Sequence, residues 1–537
     1  MIMSNKGKFA AILLAALLMA APLSACSDDG ASSGSAPAAE QPSASTSEPA
    51  DSGAAEEQPA EDVTDDAIHP MRYVTPGNMP PDAETGLAAV NEKLLADGVN
   101  IEVQPIRIPW DAYDQKLNLM LSSGEEFELI HVMQDVKNIS SLASRNALQP
   151  MTPYLDKYPG LVDKFSEMDW KAGLYNGEIY AVPMRFRARK LGYLTVRTDT
   201  MNKFTDTFPG DDVDEMLDLF EKMQADITEE VGKKAYHWPH QLSIPPFWLH
   251  RTYDTFPFYV ENSLGVVLVR QDGTIDSYYE SEEFKQDAET YKRMYDAGLI
   301  HPDILNAPHE QKNDEYKIGA FLPSETFGFD GFVSLQENIP TADVDVIFTA
   351  EDTPHLIYTF SQNLNGISTT AEDPESGIKF LNWIYEDKAN HDLFHYGVEG
   401  VHYTASAPNR IQTIKDESNA NLYGFDTWMS GYLPYLRYDE AMPDKAIDWD
   451  NFEAEDRVYS PVAGFLFDAS NVEAELASIQ TEIIASIYPI KFGLQDYETA
   501  FPAALERLKA AGLDKYLEEY RTQFAAYLEA NPDAVAK

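Results

Sequence analysis

Cysteine is almost missing from this chain, which has one such residue, Cys26, among 537. A single thiol excludes a disulfide within the chain and any metal site built from several cysteines. Basic residues are also scarce, because 40 lysines and arginines stand against 89 aspartates and glutamates, for a net charge of −49. Phosphate backbones and anionic lipid surfaces repel so acidic a body, and we therefore predict no nucleic-acid partner. We interpret the acidity as a solvated exterior surface.

The apolar segment near the N-terminus is too short to cross a membrane. Residues 9–21 carry no charge, but a membrane-spanning helix needs about 20 apolar residues. Lys6 and Lys8 precede the segment, and small residues follow it. This three-part layout is typical of a secretory signal, so we interpret residues 1–25 as a signal peptide.

The position of the lone cysteine has a specific interpretation. Residues 23–26 (LSAC) resemble the lipobox of bacterial lipoproteins, in which the signal is cut before the cysteine and that residue is lipidated. The resemblance implies lipidation at Cys26 and anchoring on the extracytoplasmic face of the cell membrane. An ordinary signal peptide with an incidental cysteine is the alternative.

Residues 27–66 contain no aromatic residue, lysine or arginine and are rich in Ser, Ala, Pro, Asp and Glu. Such a segment buries too little apolar surface to fold. We predict that residues 26–67 are a lipidated cysteine followed by a disordered tether, which holds a folded body away from the membrane.

The first part of the folded body alternates between two hydrophobic periods. Apolar patterns typical of strands lie at residues 71–75, 99–108 and 127–132, and helical patterns lie at residues 82–97 and 111–124. The order β-α-β-α-β is typical of an α/β domain with a parallel sheet.

Later segments continue this α/β pattern and then change. We predict strands at residues 178–182, 191–196, 344–348 and 355–360, helices at residues 212–226 and 281–297, and a mostly helical chain from residue 376 onward. The body is too long for one typical core. The predicted organisation is a first α/β lobe at residues 68–190, a second lobe at 191–355, and a return to the first lobe at 356–537, which also supplies the hinge and a helix-rich C-terminal part. Ligands of such folds bind between the lobes, at the carboxyl ends of the strands.

Four segments resemble signatures of family 1 extracellular solute-binding proteins, the receptors of ABC importers. They are residues 116–125 (KLNLMLSSGE), 175–183 (YNGEIYAVP), 214–217 (DEML) and 396–403 (YGVEGVHY), the last similar to the large lipoprotein subgroup. Their order and spacing match the family across most of residues 68–537. Glu128 departs from the aspartate usual before the third strand, and Glu178 stands where lysine is common.

The resemblance implies a two-lobe, periplasmic-binding-protein-like α/β fold and a function in import. We predict a monomeric receptor that delivers a carbohydrate, often an oligosaccharide in this family, to the transmembrane subunits of an ABC importer, without metal or cofactor. A receptor for a peptide or another organic solute is one alternative. A surface glycosidase or lyase is another alternative. The two catalytic carboxylates of a glycosidase are paired in space and not in sequence, so no sequence motif can exclude them. The chain has no G-x-S-x-G motif and no Walker loop.

Candidate ligand contacts are aromatic or polar residues at predicted loop positions. Sugars present C–H faces that pack on aromatic rings and hydroxyls that need fixed donors and acceptors. The candidates are Trp110, Asp135, Arg187, Trp238, Trp248, Glu399 and Trp428. Packing within a lobe is the alternative for each tryptophan.

The reason for expecting a ligand contact differs from one candidate residue to the next. Trp110 and Asp135 follow predicted strands, and Arg187 lies in a basic stretch that suits hydroxyls or a carboxylate, although salt bridges explain it equally well. Glu399 contacts ligand or braces the hinge, and we favour the brace. Trp428 lies in a predicted loop, and Trp238 and Trp248 lie in a proline-containing loop that we assign to the second lobe. We predict that Trp110 and one of these two rings approach a ligand from opposite sides.

Overall fold

A computed structural model describes residues 67–535, except residues 135–136, 185–190, 240–241, 262–263, 326–327, 330 and 418–419. Three predicted site residues, Cys26, Asp135 and Arg187, lie outside the described residues, as does the predicted tether up to residue 66. In the described part of the chain, no helix combines the length and the apolarity that a membrane crossing requires.

The first sheet has six strands. Its parallel part pairs His69–Pro76 with both Ile101–Ile108 and Leu129–Met133. Asn363–Ser368 then adds antiparallel to Leu129–Met133 and also pairs with the two short strands Leu148–Gln149 and Ala181–Pro183. The strand that completes this sheet therefore comes from a part of the chain that lies far downstream.

Helices cover both faces of the first sheet. Met71 and Tyr73 pack in one core with the helices Ala83–Ala96 and Pro374–Glu386, whereas Val74, on the opposite face, packs with the helix Tyr113–Ser123. This alternation is the period of two that a strand buried on both faces shows. The other helices near this sheet are Ile139–Ser144, Thr152–Leu155, Pro159–Val162, Glu167–Lys171 and Lys388–Tyr396.

The second lobe is built around two small antiparallel sheets. Tyr193–Arg197 pairs with Val344–Phe348, and the strand Val267–Arg270 lies between Phe258–Val260 and Ile275–Ser277. Its helices are Thr198–Met201, Val213–Val231, Phe247–His250, Glu282–Asp296, His309–Lys317 and Phe332–Asn338.

The C-terminal helices pack on the second lobe. Phe258 and Val267 share one core with Ile483, Tyr516 and Phe524. The helices are Glu473–Glu482, the π-helical segment Ile483–Ile487, Tyr488–Lys491, Tyr497–Ala510 and Leu513–Ala530. Two strands, His355–Ile357 and Arg457–Tyr459, pair in parallel. The chain leaves the second lobe through the first strand and returns to it through the second. The domain boundaries given above stay a prediction.

The helix-rich character predicted from residue 376 onward holds only in part. Between the helices Lys388–Tyr396 and Glu473–Glu482 the chain forms the strands Tyr403–Ala407, Arg410–Thr413 and Tyr438–Asp439, with the short helices Thr427–Ser430 and Asp444–Asp450. The first two strands form a hairpin around Pro408 and Asn409. These are turn residues, and their small and polar flanking residues lack a helical apolar stripe.

One buried carboxyl in the second lobe links stability to pH. Glu325 is 8% exposed, and its Oε1 accepts a hydrogen bond from the backbone N–H of Trp248 at 2.9 Å. Burial raises the pKa of Glu325 from 4.5 to about 8, and the Trp248 N–H and the nearby Lys491 offset part of this effect. Between these two values the unfolded carboxyl has lost its proton while the folded one keeps it, so the free energy of unfolding falls as pH rises.

Glu325→Gln is expected to remove this pH dependence, because glutamine keeps an oxygen acceptor for Trp248 and does not titrate. The free energy of unfolding of the variant minus that of the unmodified protein should rise by about 1.4 kcal/mol for each pH unit between pH 4.5 and about 8. Urea unfolding near pH 6 and near pH 7 measures the difference. Parallel pH profiles for the two proteins would contradict the assignment.

Candidate functional site

Two predicted contact residues are buried in the second lobe. Trp248 is 0% exposed and Trp238 is 3% exposed, and both belong to the core formed with Phe220 and Met223. The Trp238 Nε1–H donates to Glu315 Oε2 at 3.0 Å. In this structure neither ring faces a cleft.

The local fold explains the burial of Trp248. Pro246 precedes the short helix Phe247–His250, which turns Trp248 inward instead of leaving it on a loop. The two-sided clamp predicted for Trp110 and one of these rings therefore lacks its second side in this structure. We leave Trp238 and Trp248 out of the site proposed below.

The structure brings together two other predicted residues, Trp110 and Trp428. Their rings stack with centroids 5.8 Å apart and planes inclined by 21°. Trp110 opens the short helical turn directly after the strand Ile101–Ile108, and its side chain is 57% exposed. Trp428 is half-buried and packs edge-on against His131, 5.0 Å away. We call Trp110 and Trp428 the indole pair.

The segment that carries Trp428 is fixed to the first sheet. Arg107 donates to Asp426 at 2.9 Å and lies 5.4 Å above the ring of Phe425. The Asn365 side chain donates to the carbonyl of Met429 at 2.9 Å. These contacts on both sides of Trp428 hold its ring in place, so Trp110 rests on a rigid support.

His131 supports the indole pair as a neutral ring. Its side chain is 1% exposed, and burial lowers the pKa of His131 to about 4. Its Nε2 lies 3.2 Å from the Asn363 Oδ1. A neutral imidazole under Trp428 places no charge beneath the exposed aromatic face, which suits contact with an uncharged ligand.

A cavity of about 670 Å³, which we call the cleft cavity, opens near the carboxyl ends of the first-sheet strands. The first lobe contributes Asp114, on the helix Tyr113–Ser123, and Gln134 and Lys137, which follow the strand Leu129–Met133. The second lobe contributes Tyr259 and Glu261. Other side chains come from the segments 358–362 and 462–469, which follow the strands His355–Ile357 and Arg457–Tyr459, and from the C-terminal helices; they include Tyr358, Gln362, Phe467, Glu473, Tyr516 and Tyr520. Its volume lies in the range typical of small-molecule sites, about 300–1,000 Å³.

Aromatic rings form much of the wall on the second-lobe side. Tyr259 and Tyr358 stack with centroids 4.5 Å apart. Phe467 packs against Tyr516 and Tyr520 at 5.3 and 4.8 Å. These rings pack mainly on one another, which fixes the wall before any ligand binds.

The cations among the described lining residues have carboxylate partners. Lys137 pairs with Asp114, and Arg145 pairs with Glu473 at the start of a C-terminal helix. Gln134 uses its amide to donate to the Ala172 carbonyl and to accept from the Ile139 N–H. Paired cations make this part of the cavity better suited to an uncharged polar solute than to a carboxylate.

The remaining predictions have different outcomes. Glu399 is exposed in a turn that bridges to Tyr403, and it does not line the cleft cavity, so its role as a hinge brace stays a prediction. Asp135 and Arg187 lie outside the described residues; Gln134, the neighbour of Asp135, lines the cavity. Within the described part of the chain, His, Asp and Glu side chains form no group of three or more that could hold a metal ion.

Sequence reasoning missed the tyrosines and phenylalanines of the cavity wall that follow the strands His355–Ile357 and Arg457–Tyr459 or lie on the C-terminal helices. Tyr358 directly follows the strand His355–Ile357, a position typical of binding residues, and this signal could have found it. Tyr516 and Tyr520 have no comparable signal, because an aromatic stripe on a helix predicts core packing equally well, and Phe467 lies in an irregular segment without a motif.

Comparison with known proteins adds independent information. Residues 89–419 match the family described as bacterial extracellular solute-binding protein, and residues 461–529 match a domain of unknown function, DUF3502. The chain is 23% identical over 468 residues to a carbohydrate ABC transporter substrate-binding protein of Streptococcus pneumoniae serotype 4, covering 84% of this chain and 90% of that protein. It is 24% identical over 229 residues to the lipoprotein LipO of Bacillus subtilis, covering 41% and 43% of the two chains.

Solved structures share the fold. The crystal structure of the N-glycan transport solute binding protein NgtS from Streptococcus pneumoniae aligns with a TM-score of 0.66 at 20% identity, over 86% of this chain and 99% of that one. The family match covers more than half of this chain, and the structural likeness confirms the two-lobe α/β fold. The chain belongs to the bacterial extracellular solute-binding protein family.

Proposed function

We propose that this protein captures an oligosaccharide between its two lobes and delivers it to the transmembrane subunits of an ABC importer. The observation that carries the proposal is the exposed indole pair at the end of the strand Ile101–Ile108. Neither ring lines the cleft cavity, but Asp114, on the helix that follows Trp110, does, and the wall of that cavity combines aromatic rings and amides. Sugar rings pack on such faces, and their hydroxyls bond to such polar groups.

Two further observations support a carbohydrate ligand. Lys137 and Arg145 are paired within the described lining, which disfavours a ligand that depends on its carboxylate. The similar Streptococcus pneumoniae proteins are named for carbohydrate and N-glycan transport, and one structure is a complex with Man5GlcNAc. From this similarity we infer that the ligand of this chain is also a carbohydrate.

A ligand screen tests the function. The mature protein is mixed with a panel of neutral oligosaccharides, acidic sugars and peptides, and its thermal midpoint is recorded, because a ligand that binds the folded state raises that midpoint. We expect neutral oligosaccharides to give the largest shifts. A shift with peptides alone would replace the carbohydrate by the peptide alternative, and shortened glycan products would indicate the glycosidase or lyase alternative.

We also propose that Cys26 carries a lipid that anchors the protein to the extracytoplasmic face of the cell membrane, where it acts as a monomer. The lipobox-like residues 23–26 and the similarity to a lipoprotein support this anchor.

Cys26→Ser is expected to abolish lipid incorporation, because no other residue of the chain offers a thiol. Metabolic labelling with a fatty-acid analogue, followed by separation of membrane and soluble fractions, measures the effect. Ser24→Ala is the matched control, since it keeps the cysteine and should label normally. Label on the Cys26→Ser protein would show that the anchor is elsewhere.

A further inference from the structure

A second cavity of about 1030 Å³ adjoins the cleft cavity. It lies between the segment Glu167–Gly177 of the first lobe and the final C-terminal helix, and Phe465 and Leu466 line both cavities. We call it the second chamber. Because Phe465 and Leu466 border both spaces, the second chamber and the cleft cavity lie next to each other.

The second chamber exposes apolar side chains. Met168, Leu174 and Tyr459 line it, and they are 41%, 41% and 40% exposed, among the most exposed large apolar residues of the described chain. Tyr175 and Phe360 add half-buried rings to the same wall. Apolar side chains that stay exposed around one concavity mark a binding surface, whereas scattered single ones need no explanation.

Polar groups in the chamber are held in fixed positions. Glu519 accepts hydrogen bonds from Asn471 at 3.0 Å and from Gln523 at 2.8 Å. The Gln523 side chain also donates to the Asp468 carbonyl and accepts from the Asp468 N–H. The hydrogen bonds that Glu519 accepts from Asn471 and Gln523 lower its pKa. An ionised carboxylate accepts hydrogen bonds, and a ligand hydroxyl can donate one to it.

We propose that the second chamber is an additional subsite for the same oligosaccharide and holds a chain extension or a branch whose other end lies in the cleft cavity. This inference rests on the proposed function and deepens it, because it assigns the ligand a size. The second chamber alone reaches the upper end of the range of small-molecule sites, about 1,000 Å³, and the cleft cavity adds about 670 Å³ to it. Two adjoining cavities of this volume suit an oligosaccharide rather than a disaccharide.

The combination of groups favours sugar over an apolar peptide in this chamber. Tyr459 and Tyr175 present aromatic faces, and the carboxylate and amides of Glu519, Asn471 and Gln523 lie on the same lining. The aromatic faces suit the C–H faces of a pyranose, and Glu519 Oε2, which the bonds from Asn471 and Gln523 do not use, can accept from its hydroxyls, whereas an apolar peptide side chain would contact the rings alone.

An array of neutral glycans, from disaccharides to long linear and branched oligosaccharides, tests the subsite with the mature protein. Affinity should increase from the disaccharides to the larger glycans. Tyr459→Ala should weaken binding of the larger glycans roughly tenfold, the effect of losing one aromatic contact, and leave disaccharide binding unchanged. Met168 lies on the helix Glu167–Lys171, on a different element of the same wall, and Met168→Ala should also weaken binding of the larger glycans.

Phe204→Ala is the matched control, because Phe204 is 43% exposed and lines neither cavity. Equal affinity for disaccharides and larger glycans, or unchanged binding in both chamber variants, would overturn the subsite and leave the proposed function intact. Failure of every glycan to bind would contradict the proposed function itself. A thermal midpoint within the range of the control shows that each variant is folded.

Discussion

Arg251→Met is expected to lower the free energy of unfolding of the second lobe by about 3–5 kcal/mol, because it leaves several buried carbonyls without a donor, at about 1–3 kcal/mol each before the turn relaxes. Arg251 is 1% exposed, and its guanidinium donates to the carbonyls of Thr349, Ala350, Thr353 and Pro354 at 2.7–3.2 Å. Methionine fills a similar volume but leaves these four acceptors without their donor.

The bonds of Arg251 fix one particular turn. Residues 349–354 join the strand Val344–Phe348 to the crossing strand His355–Ile357. Gly192, with a φ of +76°, lies so close that a Cβ there would be 1.9 Å from the Arg251 Cδ. Only glycine fits both that backbone conformation and that contact. The guanidinium therefore sets the point at which the chain leaves the second lobe.

Burial also lowers the pKa of Arg251 to about 10. The group still carries its charge at neutral pH, so the four carbonyls face a cation, and its hydrogen bonds are of the stronger, charge-assisted kind. Arg251→Lys is expected to destabilise as well, because one ammonium group cannot occupy the positions of a planar five-donor fork.

Urea unfolding followed by tryptophan fluorescence measures the change, since Trp238 and Trp248 are buried in the same lobe. Arg293→Met is the matched control. Arg293 is 55% exposed and pairs with Asp214, which is 77% exposed, and exposed pairs contribute about 0–1 kcal/mol. A change below about 1 kcal/mol for Arg251→Met would show that water or a shift of the turn replaces the guanidinium.

Sequence reasoning predicted the parallel part of the first sheet well, but it missed the antiparallel strand Asn363–Ser368, which pairs with three other strands of that sheet. The helix predicted at residues 82–97 is Ala83–Ala96, and the predicted first three strands are His69–Pro76, Ile101–Ile108 and Leu129–Met133. The prediction worked because local signals agree: Gly98 follows the helix, and Val103 and Ile101 alternate with polar residues on the next strand. Local periodicity and turn residues carry this information.

The candidate site was predicted less completely, for a physical reason. Trp428 and Trp110 were both identified, but their stacking joins residues far apart in the chain, and no local pattern encodes it. Trp238 and Trp248 have the same composition signal as the indole pair and differ only in burial. Burial of a loop aromatic depends on which element covers it, and tertiary packing alone decides this. The residues from the C-terminal helices were missed for the same reason.

Trp110→Ala is expected to weaken oligosaccharide binding by about 1–3 kcal/mol, or roughly 5- to 150-fold in Kd, the effect of losing a large apolar contact surface. Its ring is 57% exposed and rests on Trp428. The fold should stay intact, because little of the core depends on so exposed a side chain. Trp428→Ala should weaken binding as well and also lower stability, since Trp428 packs on the buried His131.

Isothermal titration with the best glycan of the screen measures Kd, and thermal unfolding measures stability in the same samples. Leu119→Ala is the matched control, because Leu119 is 65% exposed on the helix that follows Trp110 and has no aromatic face on which a sugar ring can pack. Phenylalanine at position 110 keeps an aromatic face, so Trp110→Phe should retain much of the affinity that alanine loses. Full affinity in the Trp110→Ala protein would remove the indole pair from the site and leave the cleft cavity as the binding surface.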